Sequence, residues 1–127
     1  RFRADWISPP GIVASPASVS YVEISSGLRQ PLDFSSLTNP RARMIVAGWG
    51  TESGAGKGVA LHDGTSVLAE VTWDGHTESV RAGAFTAITL TTDLTMQLRT
   101  KGSSATEQLV LKTVLLEWKI AINVVST

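Results

Sequence analysis

The sequence predicts an all-β domain: an antiparallel, jelly-roll-like β-sandwich of roughly eight to ten strands. Three observations lead there. Thr, Ser, Val, Ala, Leu and Gly dominate while Lys, Glu and Gln are sparse, a balance that suits strands rather than helices. Apolar and polar residues alternate at period two through successive short segments. Turns rich in Gly and Asp separate those segments at spacings of about 8–12 residues, the rhythm of a sandwich or barrel.

Taken in order, residues 1–18 hold three of the five prolines, and Pro9-Pro10-Gly11 forces a turn or an extended corner. Val19 to Ile24 alternates as a strand. Residues 26–41 read as loop, with Gly27, Pro31 and Asn39-Pro40. Arg43–Trp49 and Val59–Asp63 read as strands joined by a Gly-rich connection. Asp63-Gly64 is a favoured hairpin pair. Beyond it Val67, Ala69, Val71 and Trp73 share one strand face, opposite Leu68, Glu70 and Thr72. Asp74-Gly75 turns the chain into short strands at Glu78–Arg81 and Phe85–Leu90. Leu94, Met96 and Leu98 alternate with Thr95, Gln97 and Arg99, and a turn follows at Lys101–Ser104. The run from Glu107 to Val125 is the most apolar. A helix competes there, but strict alternation from Leu116 to Ile122 favours a strand. Val114, Leu116, Trp118, Ile120 and Ile122 then fall on one face, with Leu109, Leu111, Leu115, Glu117 and Lys119 on the other.

With 127 residues the chain has the length of one domain. The expected division is an extended N-terminal arm at 1–18 and a single sandwich at 19–127. Eleven basic residues balance eleven acidic ones, which argues against a nucleic-acid partner captured by overall charge. Cysteine is absent, so disulfides and thiolate metal sites are excluded. No apolar run approaches the ~18 residues of a membrane span. The start Arg-Phe-Arg, without Met, reads as a processed or trimmed product.

The stretch GWGTESGAGKG at 48–58 resembles a phosphate loop at first sight. The pattern needs a Gly separated by four residues from Gly-Lys and a hydroxyl after it, yet these positions hold Thr51 and Gly58. A strand rather than a helix follows, so no helix N-terminus faces a phosphate. A Gly-rich connection longer than a hairpin requires remains, and surplus length suits a contact loop. Trp49 and Lys57 are therefore the candidates for contact with a ligand or partner. Serines lie in no nucleophile elbow, and no catalytic residue is assigned. The chain is expected not to be an enzyme, and no cofactor is expected, with calcium possible. Asp63, Asp74 and Glu78 at hairpin tips are the calcium candidates, and His62 with His76 is the nitrogen-bearing alternative. Trp73 and Trp118 sit among core positions. In the arm, Phe2, Trp6, Ile7, Ile12 and Val13 form apolar anchors between prolines and small residues. Such a segment can fold back on its own sheet or pair along the sheet edge of another subunit.

The strand series Val59–Trp118 resembles small jelly-roll β-sandwich proteins in its rhythm, without a signature motif. These include non-catalytic carbohydrate-binding modules and the virion or extracellular tube subunits of hyperthermophilic archaea and their viruses. The second resemblance implies a non-enzymatic structural subunit, extracellular or in a virion, in which copies of the chain assemble through edge strands and the arm. The absence of Cys and the two Asn residues suit a heat-exposed subunit. The first resemblance implies a glycan ligand, with Trp49 as the stacking residue.

Overall fold

A computed structural model describes residues 2–7, 12–24, 30–32, 37–88 and 94–120. Among the described residues eleven strands follow one another: β1 (Phe2–Ile7), β2 (Val13–Ala14), β3 (Val22–Glu23), β4 (Gln30–Leu32), β5 (Arg41–Gly50), β6 (Lys57–His62), β7 (Val67–Trp73), β8 (Ser79–Ala82), β9 (Thr86–Ala87), β10 (Leu94–Lys101) and β11 (Leu109–Lys119). The chain is all-β, and its two antiparallel sheets form a β-sandwich. The first sheet runs β1-β11-β5-β8, with β2 on β11 and β9 on β5; the second runs β3-β10-β6-β7, with β4 on β10. The expected strand Val67–Trp73 forms with those limits. Val19–Ile24 shrinks to the two-residue β3, and the described part of Phe85–Leu90 forms the two-residue β9, its residues 89–90 lying outside the described ones. The expected strand positions Ile122–Val125 lie outside the described residues.

In β5 the even-numbered residues Ala42, Met44 and Val46 point into the sandwich and are fully buried, while the odd-numbered ones face outward. Its neighbour β11 departs from strict alternation. Leu111 pairs with Gly48 and Thr113 with Ala47, so Lys112 is an extra residue, a β-bulge that shifts the phase by one. Leu109 and Leu111 therefore share the inner face with Val114 and Leu116, all fully buried. The alternation read from the sequence placed these two leucines on the face opposite Val114 and Leu116; a bulge breaks period two without a composition signal.

Within residues 1–18, expected as an extended arm, β1 and β2 both pair with β11 of the first sheet. Phe2 pairs with Trp118 and Ala4 with Leu116, while Val13 pairs with Leu111. Trp6 and Ile7 are buried in the core, Val13 packs against it, and Ile12 is 60% exposed. Of the two alternatives for the arm, β1 and β2 follow the fold-back one: their hydrogen bonds are made to the chain's own β11.

Strand β6 is buried along its whole length. Val59 and Leu61 face the core, alongside Leu98, Val71 and Ala69 from the flanking strands. On the opposite side Tyr21 lies across Gly58, where a Cβ would come within 2.3 Å of the phenol oxygen. The Tyr21 hydroxyl donates to Glu70 Oε2 at 2.7 Å, and the Lys101 ammonium sits 4.8 Å from the ring centroid. Burial, reinforced by Glu70, pushes the phenol pKa far above its ordinary range. Gly58→Ala is expected to displace the ring, cost about 1–3 kcal/mol and return this titration toward its ordinary range. Tyr21 is the single tyrosine, so absorbance at alkaline pH reads this contact alone.

Candidate functional site

One end of the sandwich gathers the loops 51–56, 74–78 and 102–108, and a buried ion pair ties two of them together. Lys57 Nζ lies 3.0 Å from Glu107 Oε2, with both side chains at 0% exposure. The ammonium also donates to the Gly54 carbonyl. Glu107 Oε1 accepts from the backbone N–H and hydroxyl of Ser103 at 2.6 and 2.8 Å, and Oε2 accepts from the Glu52 N–H at 2.8 Å. Burial alone would raise the Glu107 carboxyl; the hydrogen bonds from Ser103, Lys57 and Glu52 outweigh it and hold the group below its ordinary range. Glu52 is held low by the Ser104 and Thr106 hydroxyls. Lys57 is therefore a structural knot and not a surface contact, which corrects the role expected for it. Its phase held the signal: Lys57 lies in step with Val59 and Leu61, and Glu107 in step with Leu109 and Leu111.

Trp49 faces the other way. Gly48 and Gly50 beside it point inward, and a Cβ on Gly50 would lie 2.3 Å from Lys57 Cε and 2.5 Å from Glu107 Oε2. The ion pair thus packs on the bare Gly50 backbone, while the indole stands half-buried on the outer face of the first sheet. Val110 is its cross-strand partner. Val80, opposite Ala47 on β8, is 72% exposed. The Lys112 ammonium lies 5.5 Å from the Trp49 ring centroid and 2.6 Å from Glu78 Oε1. The result is a shallow apolar platform with a charged, hydrogen-bonding rim. Trp6 and Trp73 are core residues, and Trp118 packs against the core.

The expected calcium residues do not meet. Asp63 follows β6 at one end of the sandwich, while Asp74 and Glu78 follow β7 at the other, about 20 Å away along the strand. Each carboxylate already has a partner. Asp63 accepts from the Ser66 and Thr65 N–H groups, which hold it low. Asp74 accepts from Gly56 N–H and Glu78 pairs with Lys112. Among the described residues no group of three or more His, Asp or Glu side chains comes together to hold a metal. His62 and His76 are likewise divided between the two ends. His62 Nδ1 accepts from Gly64 N–H, and burial with the nearby Arg99 lowers its pKa. Among the described residues, no helix is long and apolar enough to cross a membrane.

No protein-family model and no curated protein matches the chain. Among solved structures it is similar to a carbohydrate-binding module, CBM36, in complex with calcium and xylotriose. The likeness covers 94% of this chain and 89% of that one, with a TM-score of 0.52 and 21% identity. At that identity the likeness is one of fold. It supports the carbohydrate-binding-module side of the resemblance; the tube and virion side finds no support in it.

Proposed function

We propose that this chain is a non-catalytic, carbohydrate-binding β-sandwich module whose ligand rests on Trp49. The carrying observation is the half-buried indole on an open sheet face, flanked by exposed Val80 and by the Lys112–Glu78 pair. The C–H face of a sugar ring covers such a surface and removes apolar area from water. The rim supplies donors and an acceptor at fixed positions for the hydroxyls, the combination by which binding sites set orientation. The fold neighbour solved with xylotriose supports this reading, and an extracellular location goes with a polysaccharide ligand. Assembly through the N-terminal segment, the other expectation, lacks support: Trp6 and Ile7 are buried in the chain's own core.

A glycan array with the wild type and Trp49→Ala tests the proposal. Wild-type binding is expected, with a loss in Trp49→Ala of about tenfold or more, some 1.4 kcal/mol. No glycan bound, or an unchanged Trp49→Ala, would reject it. The acidic residues considered for calcium, Asp63, Asp74 and Glu78, lie apart. Measurements with and without calcium belong in the test because the fold neighbour holds it.

A further inference from the structure

We propose that the far end of the same sheet face is an anion subsite, formed by Arg41, Arg43 and Lys119, for the carboxylate or sulfate groups of an acidic polysaccharide. This rests on the glycan reading above and names its ligand class. The key observation is the register: Arg41 on β5 stands directly opposite Lys119 on β11. Like charges at directly opposed positions destabilise a sheet, and no ion pair engages either one among the described residues. A third cation lies beside them. Arg43 meets Glu117 through Nε at 3.0 Å and Nη2 at 2.9 Å, so among the described residues the acidic partner at this end is taken by Arg43 and not by Arg41 or Lys119. Asp5, the next acidic residue at this end of the face, is level with Leu115, two pairs further along β11, while Glu78 pairs with Lys112 at the Trp49 end.

Phe85 holds the cluster in place. The Arg43 guanidinium lies 4.7 Å and the Lys119 ammonium 4.2 Å from its ring centroid, both within cation–π range. Lys119 is thereby kept beside Arg41, whose exposed guanidinium presents the planar donor fork that matches a carboxylate or sulfate. Trp49 and Arg41 are on the same side of β5, roughly 26 Å apart at about 3.3 Å per residue. A chain of sugars lying along β5 and β11 would meet an apolar platform at one end and positive charge at the other. The chain as a whole has zero net charge, so the attraction is local to this face, which favours a glycan over a nucleic acid.

The test compares three polymers of one backbone: dextran, carboxymethyl-dextran and dextran sulfate. Affinities are measured at low salt for the wild type, Trp49→Ala and the double variant Arg41→Gln/Lys119→Gln. One or both charged polymers are expected to bind about tenfold or more tighter than dextran, and which of them gains identifies carboxylate or sulfate. The double variant should lose that preference and show a shallower salt dependence, while Trp49→Ala keeps it. Equal binding of all three polymers, or a double variant that matches the wild type, would overturn the subsite. Failure of the Trp49 reading has a different signature: Trp49→Ala is silent while the charge preference persists. A single-stranded DNA that binds as tightly as the favoured dextran, and is lost equally in the double variant, would overturn the assignment to a glycan. The thermal midpoint without ligand completes the test. It should hold or rise when the opposed charges are removed; a fall would make the cluster structural and overturn the proposal.

Discussion

Glu107→Gln is expected to lower stability by about 3–5 kcal/mol, read from the urea midpoint, because it leaves the Lys57 ammonium buried without its counter-charge. Lys57→Met should cost a similar amount by stranding the carboxylate. Against the roughly 5–15 kcal/mol that holds a typical domain together, either loss is a large fraction. The double variant Lys57→Met/Glu107→Leu is expected to recover much of it, since paired apolar replacements restore packing where single removals do not. The pair also gives the stability a defined pH dependence. Glu107 titrates below its ordinary value of 4.5 in the folded state. Its contribution is therefore complete above that value and is lost as pH falls through the lower folded one. Glu107→Gln should lack this part of the acid limb. The site is affected too, because the ion pair packs on Gly50, next to Trp49, and Glu107 anchors the Glu52 N–H.

Which parts of this were legible depends on the range of the interaction. Val67–Trp73 could be read to the residue because its alternation and its flanking Asp-Gly turns are local. The outward direction of Trp49 was within reach as well, since Gly48 and Gly50 leave the indole as the one large side chain in the triplet. Lys57 was misjudged because its partner, Glu107, lies far away in sequence. Looped glycines around a lysine suggest exposure, and only the phase shared with Val59 and Leu61 points inward. The metal candidates failed for a topological reason. Asp63 occupies the β6–β7 hairpin tip, whereas Asp74 begins the connection that crosses to the other sheet, and the seven residues of β7 put the two at opposite ends of the sandwich. The opposed Arg41 and Lys119 were invisible for the same reason as the ion pair: cross-strand register is a long-range property.

Leu111→Ala is the second substitution expected to have a large effect, at about 2–5 kcal/mol, comparable with Leu116→Ala. Strict alternation counted back from Leu116 puts Leu111 on the outer face, where truncation usually changes stability by about 0.5 kcal/mol or less. The bulge at Lys112 reverses that expectation, because Leu111 is fully buried opposite Gly48. Urea midpoints of Leu111→Ala, Leu116→Ala and Val110→Ala decide between the two phases: the first two should fall together and the third should move little. A chain without Lys112 sharpens the point. Its β11 would alternate regularly with Leu109, Leu111, Val114 and Leu116 all still inward, so it is expected to fold. What it would lose is the ammonium beside Trp49 and the partner of Glu78. The extra residue thus serves the outer face rather than the core, and its deletion should weaken the proposed glycan binding while the cost of Leu111→Ala stays the same.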